Sequence, residues 1–325
     1  MKLALVCIYT FIGAVMFAVP NMTRRGILFA VPVPADFREG PIGRRSITIF
    51  RGLILAVLLP LVCALLFAPD RVLGPVSVAA PFLLMLVTGI GFFWQHHTLE
   101  PYAVHTQLPR EAALSTAPDR LPWFAWLAAG PFAILTASAL FLQANWERIP
   151  ERFPVHWGAN GQPNRWSERN VQGVYGPLLF GLELCLWFVA AGLASWFGAR
   201  RSHLRSALFG CLIAVEYMLG VLFSIIAINP LVSFPVWAIA LSPMLFVVPV
   251  IIVMMRAAAQ PSDPPEPTPD ECWKGGGVIY YNPNDPAVMV EKRFGAGYTF
   301  NFANRWSWVL LGSLILVVLS IFLIV

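Results

Sequence analysis

Charge is what this chain has least of. Aspartate, glutamate, lysine and arginine make up 12% of its 325 residues, against 58% hydrophobic residues and a mean hydropathy of +0.69. A soluble domain is about a quarter charged, so water is excluded as the solvent for most of this surface. Cysteine and histidine are limited to five residues each. Cys7, Cys63, Cys185 and Cys211 fall inside apolar runs and Cys272 in a polar stretch, which excludes a disulfide framework and a Cys-x-x-Cys metal pair. Walker loops, dinucleotide-type glycine motifs, Gly-x-Ser-x-Gly elbows and kinase signatures are all missing from the sequence, so the common nucleotide-dependent and hydrolytic chemistries have no foothold. No catalytic residue, metal site or cofactor is assigned.

Long apolar runs are what the chain has in abundance. Eight are long enough, or nearly so, to cross about 30 Å of hydrocarbon: residues 3–19, 53–68, 72–94, 122–143, 174–197, 207–228, 232–255 and 306–325. The second is short and borrows residues 46–51, with Arg51 snorkelling to the interface. Residues 1–19 read as a span rather than a cleaved leader, because Phe17-Ala18-Val19-Pro20 puts proline where cleavage would follow. The expected fold is an all-α polytopic membrane protein of about eight transmembrane helices with a small β-rich cytoplasmic segment. Of the 22 lysines and arginines, only Lys2, Arg71, Arg148, Arg152, Arg165 and Arg169 lie on one set of loops. The positive-inside bias places the other set in the cytoplasm and both termini outside it. The net charge of +5 then reads as loop arginines meeting anionic lipid, with the bilayer as first partner and no direct nucleic-acid binding.

Six segments follow from this pattern. Residues 1–145 form an N-terminal four-helix region with a basic cytoplasmic loop at 21–51, and 146–173 an extracytoplasmic hairpin loop. Residues 174–255 hold spans five to seven, 256–272 a Pro-rich linker, 273–305 a small β-rich module, and 306–325 the final helix. Within the basic loop, residues 26–34 are an extended apolar run ended by Pro32 and Pro34, suited to the inner interface. Ile228-Asn229-Pro230-Leu231 reads as a tight outer turn between spans six and seven. In the module, residues 278–281 read as a strand and 282–286 as a turn, with Tyr298, Phe300 and Phe302 along one face of a second strand. So small a unit needs the helix ends or the lipid surface to complete its core.

The polar island at 150–166 is the leading candidate site. Asn160-Gly161 favours a two-residue reversal with both residues at positive φ, setting 153–157 against 162–166 and bringing His156 near the Gln162–Asn164 side. Trp146, Trp157 and Trp166 suit the headgroup interface. The hairpin is either a recognition surface with His156 as hydrogen-bonder or an ordered turn anchoring two helices.

Residues 148–157, with Gly161-Gln162-Pro163-Asn164-Arg165-Trp166, resemble the signature of a bacterial membrane family of unknown function, the domain shared with SdpI-type toxin-immunity and signal-transduction proteins. Pro154, His156, Trp157 and Gly161 match its pattern. Gln162 and Asn164 stand where acids are frequent, and Gly158 where Asn or Asp is, which favours recognition over metal or acid–base work. Residues 29–34 resemble a Phe-Gly-Val-x-Val-Pro motif near the start of such proteins. Residues 273–286 and 294–302 resemble the small C-terminal module often attached to them. The resemblance implies a receptor, immunity-type or signalling protein of the bacterial inner membrane. Its outer loop would take a peptide, toxin or envelope ligand through Pro154, His156, Trp157, Asn160, Gly161, Pro163 and Trp166, and its basic face a cytoplasmic protein partner.

A second class of function rests on Glu183 and Glu216, isolated acids near the middle of spans five and six. Acids at that depth are costly and point to function by default. The expectation is a proton- or cation-coupled transporter, against two acids each bonded to a neighbouring helix. His96-His97-Thr98-Leu99-Glu100 has the wrong spacing for a zinc helix. Metal binding there would need His105 or His203 as well, and a solvated helix end is the simpler reading.

Overall fold

In a computed structural model, the apolar runs of the chain are helices. The structure describes residues 1–22, 26–104, 120–198, 205–259, 270–275, 277–292 and 298–324. His105, His203, linker residues 260–269 and the stretch 294–297 lie outside the described residues. The elements, in order, are α1 (Lys2–Ala18), β1 (Ile27–Leu28), β2 (Val31–Pro32), α2 (Pro41–Phe67), α3 (Asp70–Leu99), α4 (Gly130–Ala144), β3 (Arg152–Trp157), β4 (Pro163–Glu168), α5 (Val171–Gly198), α6 (Arg205–Val232), α7 (Val236–Leu241), α8 (Met244–Ala259), β5 (Trp273–Lys274), β6 (Ile279–Tyr280), β7 (Met289–Glu291), β8 (Tyr298–Phe300) and α9 (Arg305–Ile324). A 3-10 stretch, Trp123–Ala129, leads into α4.

Among the described residues, seven helical stretches are long and apolar enough to cross a membrane, and α9 adds a shorter apolar stretch, Arg305–Ser320. Large apolar side chains stand out from the helices, with Phe82 68%, Leu245 75% and Leu316 70% exposed. Apolar surface on this scale needs a hydrocarbon solvent. The fold is all-α and multi-pass, with strands confined to small antiparallel pairs.

The chain divides into two compact units. In the first, α1, α2 and α3 pack through Tyr9, Leu61, Leu65, Leu73 and Leu84. The turn between α2 and α3 is held by Lys2, whose Nζ donates to the Ala68 carbonyl (2.7 Å) and pairs with Asp70 (3.5 Å). Helix α2 does run back through residues 46–51, and Arg51 reaches the end of α1. Its Nε donates to the Phe17 carbonyl and its guanidinium lies 4.5 Å over the Phe17 ring, closing the C-terminal end of α1.

The apolar run in the basic loop also departs from expectation. It is a buried β1–β2 hairpin, with Leu28, Phe29 and Val31 packed on Phe50, Ile54 and Leu99. Phe29 and Ala30 turn the chain at φ 47° and 66°. That conformation costs a non-glycine residue roughly 1–2 kcal/mol. Burial of the Phe29 ring, edge-on to Phe50 and Phe92, returns about 1.5–3 kcal/mol. His96 Nδ1–H donates to the Phe29 carbonyl (2.9 Å), and Arg38, whose burial lowers its guanidinium from the ordinary value, donates to the Ile27 carbonyl.

In the second unit α5 packs along α6, with α4, α8 and α9 around them. The tight turn read at residues 228–231 is displaced. Helix α6 continues through Pro230 to Val232, and the reversal falls at Ser233 (φ 57°). The buried Asn229 explains this: its carbonyl accepts the Ser233 N–H (2.8 Å) and its Oδ1 the Phe234 N–H (2.7 Å), so the side chain closes the turn after the helix. The seventh span is broken into α7 and α8 at Ser242-Pro243, where proline interrupts the ladder.

The C-terminal module has two strand pairs, β5–β6 and β7–β8, joined by a bridge between Tyr280 and Asn301. Strand β7 had no sequence signal. Trp273, Tyr280 and Val290 make a small apolar core, and Tyr280 Oη–H donates to Asp285 Oδ2 (2.9 Å). Asn301, fully buried, donates from Nδ2 to the carbonyls of Asn282 and Asp285 and accepts the Asn282 N–H at Oδ1. The module sits on the last residue of α5: the Val288 N–H donates to the Gly198 carbonyl (2.8 Å).

Candidate functional site

The hairpin between α4 and α5 is built on a fixed base. Ile149, Phe153 and Val155 join Leu135, Leu142, Val174 and Leu178 in one apolar cluster, tying the strands to the ends of α4 and α5. Asn170 begins α5: its Oδ1 accepts the Gly173 N–H (2.7 Å), the usual way a short polar side chain satisfies a free donor of the first turn. Gly173 is required there, since a Cβ would lie 2.3 Å from the Glu168 carbonyl oxygen and 2.4 Å from Ser167 Oγ. Arg169 Nη1 donates to the Trp146 and Glu147 carbonyls and pairs with the Glu147 carboxylate (3.3 Å). The Trp146 ring stacks on Tyr175 at 6.1 Å and 13°.

On this base β3 and β4 pair antiparallel, Phe153 opposite Ser167, Pro154 opposite Trp166, His156 opposite Arg165 and Trp157 opposite Pro163. The register shifts on either side of His156. Each shift bends the ribbon and re-aims a side chain. Phe153 points into the cluster, while Arg152, His156 and Trp166 are exposed, with Pro154, Trp157 and Pro163 half-buried. The Arg152 guanidinium lies 5.6 Å over the Trp166 ring. His156 Nδ1–H donates to Asn164 Oδ1, an assignment that leaves Nε2 as an acceptor on the exposed side.

The tip differs from the expected two-residue reversal. The Gly158 N–H donates to the Gln162 carbonyl (2.9 Å) and the Gly161 N–H to the Gly158 carbonyl (2.8 Å), so the loop has three residues. Only Gly161 has positive φ, at 82°. Asn160 keeps an ordinary backbone because its Oδ1 accepts the Gln162 N–H (3.0 Å), and glycine alone takes the left-handed position that closes the bulge. A groove of about 350 Å³ runs between β4 and the first turns of α5, lined by Trp166, Ser167, Glu168, Asn170 and Pro177 among others.

The other expected groups are dispersed. Glu183 accepts a hydrogen bond from Ser320 on α9, and on the same face of α5 the Trp187 Nε1–H donates to Ser313 Oγ (3.0 Å). Glu216 is buried in α6 beside a different face of α5, its backbone carbonyl accepting from Cys185 Sγ (3.6 Å). The two carboxyls therefore face different neighbours. His96 turns inward to Phe29, whereas His97 pairs with Glu100 (3.2 Å) on the exposed side.

Sequence reasoning missed Asn170, Gly173 and Ser320. Asn170 had a readable signal, a capping residue directly before an apolar run. Ser320 had none, being 137 residues from its partner.

Residues 133–181, from α4 through the hairpin into α5, match a domain of unknown function (DUF1648). Residues 283–308, from the module into the start of α9, match a family of unknown function (DUF5808). The first match takes in the whole anchoring set from Leu135 to Leu178, and the second takes in Asp285 and Asn301. No curated protein and no solved structure matches the chain.

Proposed function

We propose that the chain is a receptor of the immunity or signalling type in the bacterial inner membrane, and that its hairpin takes a short peptide, toxin segment or envelope ligand from outside. One observation carries this reading. The hairpin displays Arg152, His156 and Trp166 on a base fixed by Phe153 and Asn170, beside a groove running along β4. Exposed aromatic, guanidinium and imidazole groups on a rigid support are typical of contact surfaces. Among the described residues β4 pairs with β3 and with no other strand, and an extended peptide could add beside it by backbone hydrogen bonds with Trp166 as anchor. The basic loops on the opposite side of the membrane suit a cytoplasmic protein partner and anionic lipid.

The double variant His156→Ala with Trp166→Ala tests this. With normal expression and insertion, it is expected to lose toxin tolerance or signalling, and to lose ligand capture relative to the intact hairpin. Unchanged tolerance, signalling and capture would remove the proposal. A proton relay running through both Glu183 and Glu216 has less support, because the two acids face different neighbours.

A further inference from the structure

Glu216 has a buried carboxyl oxygen that no described residue satisfies. The residue is 1% exposed, and its Oε2 has no hydrogen-bond partner among the described residues. An acid in such surroundings is costly unless something pairs with it. Glu216 lines a cavity of about 190 Å³ whose other described walls are apolar, including Ala128, Val189, Gly192, Phe209 and Ile213. Two further lining residues, Leu121 and Leu193, are exposed. The lining includes the Phe209 ring, packed on Trp196 at 5.6 Å, and an aromatic ring is a group that can attract a cation.

The lining restricts the occupant. Among the described lining residues there is one carboxyl and no basic group, a lining that repels phosphates and carboxylates. Walls without hydroxyl or amide side chains have nothing to bind a sugar or a peptide backbone. The volume is that of a small molecule. We propose that the cavity binds a lipophilic organic cation, an ammonium with a compact apolar body, its charge at Glu216 and its body among the α5 and α6 side chains. The site is distinct from the hairpin: Val189 lies 18 residues along α5 from Val171, roughly 27 Å at 1.5 Å per residue.

The test uses the full chain in lipid nanodiscs, radiolabelled benzyltrimethylammonium as probe, equilibrium dialysis as readout and empty nanodiscs as blank. Neopentylbenzene, the neutral molecule of the same shape, is the competitor. Saturable binding is expected, weakened by about tenfold or more in Glu216→Gln and changed by less than about twofold in Glu183→Gln. Ala128→Leu, which narrows the cavity, is expected to weaken it as well, and neopentylbenzene is expected not to displace the cation. Absence of saturable binding overturns the proposal, as does equal binding by Glu216→Gln. So does equal displacement by neopentylbenzene, which needs no variant and would mark the cavity as a void for lipid tails. Loss on Glu183→Gln with Glu216→Gln unaffected would place the cation elsewhere and is equally fatal.

Discussion

At the residue scale, small polar side chains decide local structure by spending all their hydrogen-bonding capacity. Asn301 is the fullest case, accepting the Asn282 and Ala303 N–H groups and donating to two carbonyls. Asn301→Ala leaves several buried groups unpaired and is expected to cost about 3 kcal/mol, roughly a hundredfold in local opening. Hydrogen exchange at the Asn282 and Ala303 amides checks this, and unchanged protection would show the network to be idle. At the hairpin tip, Gly161→Ala forces a Cβ onto φ 82°. That is expected to cost about 1 kcal/mol and to raise exchange at residues 158–162 by about fivefold. The Asn160-Gly161 pair marked the place of the turn in the sequence. It could not mark the type, which depended on the Asn160 side chain bonding Gln162 in place of a left-handed Asn160 backbone. The Phe29-Ala30 turn carried no signal at all, since neither residue favours positive φ and only the surrounding burial makes it tolerable.

At the element scale, the long apolar runs made the helices legible, and their ends were harder. The turn after α6 was misplaced because Asn229-Pro230 looks like a breaker, whereas the folded chain uses Asn229 to close a reversal four residues later. The joint between hairpin and α5 depends on Gly173, which has no room for a methyl group against Glu168 and Ser167. Gly173→Ala is expected to push β4 off the first turn of α5, enlarging the groove and loosening the Phe153 contact. Protection of the β3 and β4 amides should fall while that of mid-α5 amides stays. If the β-strand amides hold their protection, the joint tolerates the methyl group and the base is less rigid than described. For the candidate site, depth was readable and direction was not. The sequence places Glu183 and Glu216 at mid-helix, but which neighbour each faces depends on helix rotation, and that is set by pairings such as Glu183 with the distant Ser320.

At the scale of the whole molecule, the proposed orientation rests on the uneven distribution of arginine and lysine among the loops. A cysteine at the hairpin tip, Asn160→Cys, is expected to react with a membrane-impermeant maleimide in intact cells. Lys274→Cys in the module is expected to react only after permeabilisation, with the parent chain as background in both cases. The opposite pattern would invert the topology and remove the extracytoplasmic role of the hairpin. One feature of α5 then bears on how a signal could travel. Its first turn is capped by Asn170 at the hairpin, and its last residue, Gly198, accepts the Val288 N–H of the module. Twenty-eight residues of helix span about 42 Å at 1.5 Å per residue. Hairpin and module are thus fastened to opposite ends of a single helix, joined by its continuous backbone.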